Sequence, residues 1–250
     1  MATTTPPAPT MTVPTDPLRR TAFLGGLLYL VTFAASIPAA FYFLAPILDD
    51  PEYVLGTGAD TRVVTGGLLD MVNAVACIGT AVVLYPVLKR QNQTLALGFV
   101  TSRLLEAAII ATGVVSLLAV VTLRQDLAGA PGADTGSLST TAAGLVAVRD
   151  LTFHVGPGVM ATVNALLLGT LMYRSGLVPR LIPLMGLIGA PLLLAAKAAT
   201  VYGVNDDSTV WSMIALAPIF FWELSLGVYL VVKGFRPSAV AALPPVGSVR

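Results

Sequence analysis

Arg149-Asp150-Leu151-Thr152-Phe153-His154-Val155-Gly156-Pro157-Gly158 sets three ionisable side chains and a Gly-Pro-Gly break inside an apolar run that extends over residues 143–172. A run of that length can cross a membrane, because a hydrocarbon core about 30 Å thick needs about 20 helical residues rising about 1.5 Å each. Charge within such a run is costly, so it marks a functional-site candidate whose partners must lie on other helices. One stretch therefore asks for a membrane and for a bundle.

The composition meets both demands. With 56% hydrophobic and only 11% charged residues, and a mean hydropathy of +0.84, the chain is far below the roughly 25% charge of soluble domains. Six segments are long and apolar enough to span: 21–44, 63–88, 95–122, 143–172, 181–202 and 209–232. Strong breakers separate them, among them Asp49-Asp50-Pro51, Lys89-Arg90-Gln91-Asn92-Gln93, Gly129-Ala130-Pro131-Gly132 and Asn205-Asp206-Asp207. The expectation is an all-α integral membrane bundle of six transmembrane helices over 18–236. Residues 1–17, rich in Thr and Pro, read as a disordered N-terminal tail, and 237–250 as a disordered C-terminal tail. Arg19-Arg20 resembles a twin-arginine signal, but the apolar run behind it is too long for a signal core and suits a first span.

Orientation follows from Lys and Arg. Arg19, Arg20, Lys89, Arg90, Arg174, Arg180, Lys233, Arg236 and Arg250 fall at one end of the expected bundle, and only Arg62 and Arg124 at the other. The positive-inside rule then places both termini in the cytoplasm of a multi-pass protein of the cell membrane. The expected partner is the lipid bilayer. A net charge of +1 with scattered basic residues excludes nucleic acid as a class of partner. A small-molecule or ion ligand and an oligomeric state have no signature in the sequence.

Asp70, Arg103, Glu106, Arg149, Asp150, Lys197 and Glu223, with the single histidine His154, form the candidate buried polar network. At about 3 kcal/mol for each unpaired charge, seven would cost roughly 20 kcal/mol, more than a typical net stability of about 5–15 kcal/mol. Counting from the helix ends puts Asp70, Arg149, Asp150 and Lys197 in an outer layer. His154, Glu106 and Glu223 fall near the middle, with Arg103 deeper still. The i,i+3 spacing pairs Arg103 with Glu106, and Glu223 is expected to join them. The i,i+4 spacing pairs Asp150 with His154 as a candidate proton carrier, the alternative being a neutral His154 that caps a carbonyl at the break. Lys197 either snorkels to the surface or joins a buried pair. Gly156, Pro157 and Gly158 form a candidate helix break, read as a kink or as a cavity-lining interruption of the kind transporters use.

Catalytic signatures are missing from the sequence: it has no P-loop, His-Glu-x-x-His, Cys-x-x-Cys or Gly-x-Ser-x-Gly motif. Cys77 is the only cysteine and His154 the only histidine, so neither a multi-cysteine nor a two-histidine metal site can form. No catalytic, cofactor or metal residues are expected, and the chain reads as a non-enzyme.

Several short patterns together carry a family likeness. They are Arg20-Thr21-Ala22, Gly26-Leu27-Leu28-Tyr29, Cys77-Ile78-Gly79-Thr80, Leu84-Tyr85-Pro86 with Lys89-Arg90, Ser102-Arg103 with Glu106, Thr152-Phe153 with Gly156-Pro157-Gly158, Asn164-Ala165 with Gly169, Tyr173-Arg174-Ser175 with Pro179-Arg180, and Trp222-Glu223 with Gly227. In these the chain, over residues 19–235, resembles a bacterial multi-pass membrane-protein family defined as domain of unknown function 4386. The resemblance implies six membrane helices and no activity or functional residue to carry over. It departs at Arg149-Asp150, where the family usually has His-Asp, and at His154, which is not a regular family feature.

Three functional readings follow. A small transporter or permeation path accounts for buried charges beside a broken helix. A structural, sensory or partner-binding membrane protein accounts for them as packing glue. A membrane-embedded enzyme comes third. A cavity reaching Asp150 and Glu223 favours the first reading, and a dry, fully paired layer the second.

Overall fold

The computed structural model describes residues 16–56, 58–127 and 130–244. Among them the regular structure is all helical: α1 (Pro17–Pro38), α2 (Ala45–Leu48), α3 (Asp60–Leu88), α4 (Gln93–Leu127), α5 (Thr135–Phe153), α6 (Ala161–Ser175), α7 (Leu181–Val201), α8 (Val210–Val232) and α9 (Pro237–Ala241). Two π-helical stretches carry helices onward, Ala39–Phe43 beyond α1 and His154–Met160 between α5 and α6. Counting these continuations, six helices are long and apolar enough to cross a membrane, as the hydropathy pattern requires.

Helix ends differ from expectation where local chemistry extends them. Asp16 accepts the Leu18 N–H at 3.0 Å and Pro17 occupies the first turn, so α1 begins four residues ahead of the expected span. Asp134 caps α5 through the N–H groups of Gly136 and Ser137, which starts that helix at Thr135. The tetrapeptide Gly132-Ala133-Asp134-Thr135 recurs at 58–61 but behaves otherwise there. Asp60 sits inside the first turn of α3 and binds Arg124 together with Tyr53, tying the loop before α3 to the end of α4. In the segment expected to be a disordered C-terminal tail, Pro237–Ala241 form a short helix. Residues 1–15 and 245–250 of the two expected tails lie outside the described residues.

The spans pack as a closed ring in chain order: α1 on α3, α3 on α4, α4 on α5 and α6, α6 on α7, α7 on α8, and α8 back on α1. Three contacts climb the closing seam. Arg19 donates to the carbonyls of Leu230 and Val231 at the C-terminal end of α8 (2.8 and 2.7 Å), where helical carbonyls lack intrahelical partners. Gly26 and Gly227 then bring the two backbones together, and Phe33 meets Phe220 edge to face with centroids 5.2 Å apart. Around the lower seam lies a dry core of Tyr29, Leu84, Phe99, Leu168, Met172, Trp222 and Leu226, which fills the half of the bundle that carries the start of α1 and the end of α8.

The glycine crossing has a direct test. A Cβ on Gly26 would lie 2.6 Å from the Gly227 carbonyl oxygen and 2.8 Å from Leu230 Cβ, while one on Gly144 meets nothing within 4 Å. Gly26→Val is expected to cost about 1–3 kcal/mol by overpacking and to lower the melting temperature in detergent. Gly144→Ala, which improves helix propensity by about 1 kcal/mol, should leave it unchanged or raise it.

Candidate functional site

Above the dry core the ring encloses a cavity of about 620 Å³, to which every span contributes. Its floor is a charge cluster. Arg103 of α4 is buried and donates to Glu106 Oε2 at 2.8 Å and to Glu223 Oε1 of α8 at 3.0 Å. Asn164 of α6 donates to the same Glu106 oxygen at 2.8 Å. Tyr29 of α1 lays its ring 4.9 Å from the guanidinium carbon, and Cys77 of α3 stands 3.6 Å from Nη1. A single cation thus gathers five helices, with two carboxylates to neutralise it.

Nearer the mouth, Asp70 of α3, Arg149 of α5 and Lys197 of α7 face the same cavity, together with Asp207 from the α7–α8 loop. Lys197 reaches toward the loop and is paired there: Nζ donates to Asp207 Oδ2 at 2.7 Å. His154 joins them, with Nδ1 3.3 Å from that oxygen and Nε2 2.8 Å from the Lys197 carbonyl. Both ring nitrogens face oxygen atoms, so the ring links the α7 backbone to the α7–α8 loop.

This corrects the expected Asp150–His154 pair. The Asp150 side chain is 63% exposed, lies outside the main cavity and lines a smaller one of about 220 Å³ beside Tyr53 and Val146. The i,i+4 spacing itself holds, since the His154 N–H still bonds the Asp150 carbonyl at the end of α5, but the Asp150 side chain turns outward and the His154 ring turns to α7 and the following loop. The Gly156-Pro157-Gly158 break is that stretch. Pro157 has no N–H to give, and the widened turn absorbs the loss without unwinding the helix. The glycines serve packing: a Cβ on Gly156 would press on Ile109 at 3.2 Å, and one on Gly158 on the Lys197 stem at 3.1 Å.

Of the expected network, Asp70, Arg103, Glu106, Arg149, Lys197 and Glu223 converge on one cavity, His154 lies at its edge, and Asp150 is outside it. Sequence reasoning missed Asp207, which sits in a breaker and reads as a loop acid. It also missed Asn164, which is neutral. The demand of Lys197 for a carboxylate was the one available pointer to Asp207.

Two predictions follow from this site. Arg103→Ala strands Glu106 and Glu223 and should cost about 3–5 kcal/mol, read as lost folded yield. Arg103→Ala with Glu106→Gln and Glu223→Gln should recover part of it. Asp207 titrates differently: burial pushes its carboxyl up, but Lys197 and then His154 outweigh this and hold it below the usual carboxylate value. The stability it lends is complete above the unfolded value, about pH 4, and disappears as the pH falls through the lowered folded value. The melting temperature of wild type should therefore drop on acidification below about pH 4 by more than that of Asp207→Asn.

No curated protein and no solved structure matches the chain. A family model described as a domain of unknown function (DUF4386) matches residues 24–234, from the first turns of α1 to the residue pair after α8. That span holds the six apolar helices, the first from its eighth residue onward, and the whole charged cavity, and the chain belongs to this family, defined by a domain of unknown function.

Proposed function

We propose that the protein is a non-enzymatic transporter or permeation path for a small solute, in the cell membrane with both termini cytoplasmic. The observation that carries this reading is the cavity itself. At about 620 Å³ it falls within the roughly 300–1,000 Å³ range of small-molecule sites, it lies inside a ring of membrane helices, and it holds charges that a packing role does not require. It reaches the loop end at Asp207 and stops at the Arg103 cluster, below which the dry core closes the bundle. With the basic end cytoplasmic, the cavity faces outward above a shut inner half. The π-helical stretch at 154–160 supports a conformational step, since such turns recur at functional sites.

The floor favours a second reading at its own level. Arg103, Glu106 and Glu223 are mutually paired and close-packed, as structural glue would be. Arg149 and Asp70, nearer the mouth and without a hydrogen bond among the described residues, lack that explanation, which leaves transport as the better account of the whole.

The test is a flux screen on purified protein in liposomes, joined to cysteine labelling in a Cys77→Ser background. Cysteines at positions 55, 130 and 216 should react with an impermeant reagent from outside, and those at 92 and 176 only from inside. Labelling of position 92 from outside would overturn the orientation. Absence of flux for charged, polar and zwitterionic solutes alike would overturn transport.

A further inference from the structure

Among the described residues, every charge that lines the cavity has a hydrogen-bonded partner except two. Arg149 is only 6% exposed and its guanidinium faces the cavity, lying 4.3 Å from the centroid of the Phe153 ring. Among the described residues it makes no hydrogen bond. The nearest carboxylate, Asp150, is 3.8 Å away, beyond hydrogen-bonding reach, with its own side chain mostly exposed. Asp70 faces the same cavity from α3 and, among the described residues, also lacks a hydrogen bond or ion pair. Gly113 lets α5 approach α4 beside Arg149, because a Cβ there would collide with Thr152 Oγ1.

A buried guanidinium without an acceptor is expensive, and its planar fork matches a carboxylate or phosphate. Asp70 offers the complementary acceptor for an ammonium. A ligand carrying only an acid would satisfy Arg149 and add a second negative charge near Asp70, and one carrying only an amine would do the reverse. A ligand with both groups completes both residues and leaves the net charge of the cavity unchanged. Resting on the solute-binding reading of this cavity, we infer that its ligand is a small zwitterion, with the oxyanion on Arg149, the ammonium on Asp70 and any apolar part against Ile37, Leu216 and Phe220, which line the opposite wall. The shared chemistry is that of a free amino acid and of an ethanolamine phospholipid headgroup.

Binding is measured on the full chain in phosphatidylglycerol nanodiscs with leucine, gamma-aminobutyrate and glycerophosphoethanolamine, whose phosphodiester carries a single charge. Each is set beside its one-charge analogues: isocaproate and isopentylamine, butyrate and propylamine, glycerophosphoethanol and ethanolamine. At least one zwitterion should bind about tenfold or more tightly than both of its analogues, the scale of one charge-assisted hydrogen bond. Arg149→Gln and Asp70→Asn should each remove that advantage, and Arg149→Lys should retain part of it. Zwitterions that bind no better than their analogues overturn the inference, and this comparison needs no variant to fold. Full affinity in folded Arg149→Gln or Asp70→Asn overturns it as well. Adding phosphatidylethanolamine to the nanodiscs separates the sources: competition assigns the site to the lipid headgroup, and its absence to a soluble zwitterion. Zwitterion binding without flux would overturn transport alone, whereas flux of a singly charged solute with no zwitterion preference would overturn this inference alone.

Discussion

A guanidinium held in the middle of a membrane bundle must be neutralised where it stands, and the structure is arranged around that requirement. Arg103 draws Glu106 from its own helix and Glu223 from α8, and Glu106 in turn draws Asn164 from α6. In lipid, apolar side chains gain little by touching one another instead of hydrocarbon tails, so helix association depends on close packing and on polar contacts of this kind. The cluster supplies the polar contacts, and the glycines of the α1–α8 seam supply the closeness. Together they set the register of a ring whose helices would otherwise slide.

The bundle therefore has two chemical levels. The deep one is closed and paired, with Tyr29 and Phe99 against the cation and the apolar core beneath. The upper one is open, and its charges are shared between one bonded set, Lys197, Asp207 and His154, and one unbonded set, Arg149 and Asp70. The π-helical stretch belongs to the upper level. It brings His154 to α7, so the mouth is tied to the most irregular part of the fourth span.

How much of this the sequence disclosed depended on the dimension of the question. Spans are one-dimensional, and hydropathy located all six; it missed ends where polar residues continue a helix past its apolar run, as at Asp16 and Asp134, which cap, and at Arg124 to Leu127, which close α4. The Arg103–Glu106 pair was legible because three residues of α-helix put both on one face, and Glu223 followed from the need for charge balance. The Asp150–His154 pair was misread because spacing along one helix does not show what lies across from it: Asp150 turns outward, and His154 meets the Lys197 carbonyl and Asp207 on another element. Asp207 was hidden because a loop between two spans folds back over the cavity, and periodicity has nothing to say about loops. Which charges stay unbonded is a fact of three dimensions alone.

The Gly26–Gly227 crossing has a mechanical meaning. It is the tightest point of the α1–α8 seam and lies below the cavity, so the two helices resemble scissor blades joined near the handles. From Gly26 to Phe41 at the mouth is 15 residues, an arm of about 22 Å at 1.5 Å per residue. A rotation of about 5° about that pivot shifts the rim by about 2 Å on such an arm, while the packed half beneath scarcely moves. The leverage of this bundle is concentrated at its rim.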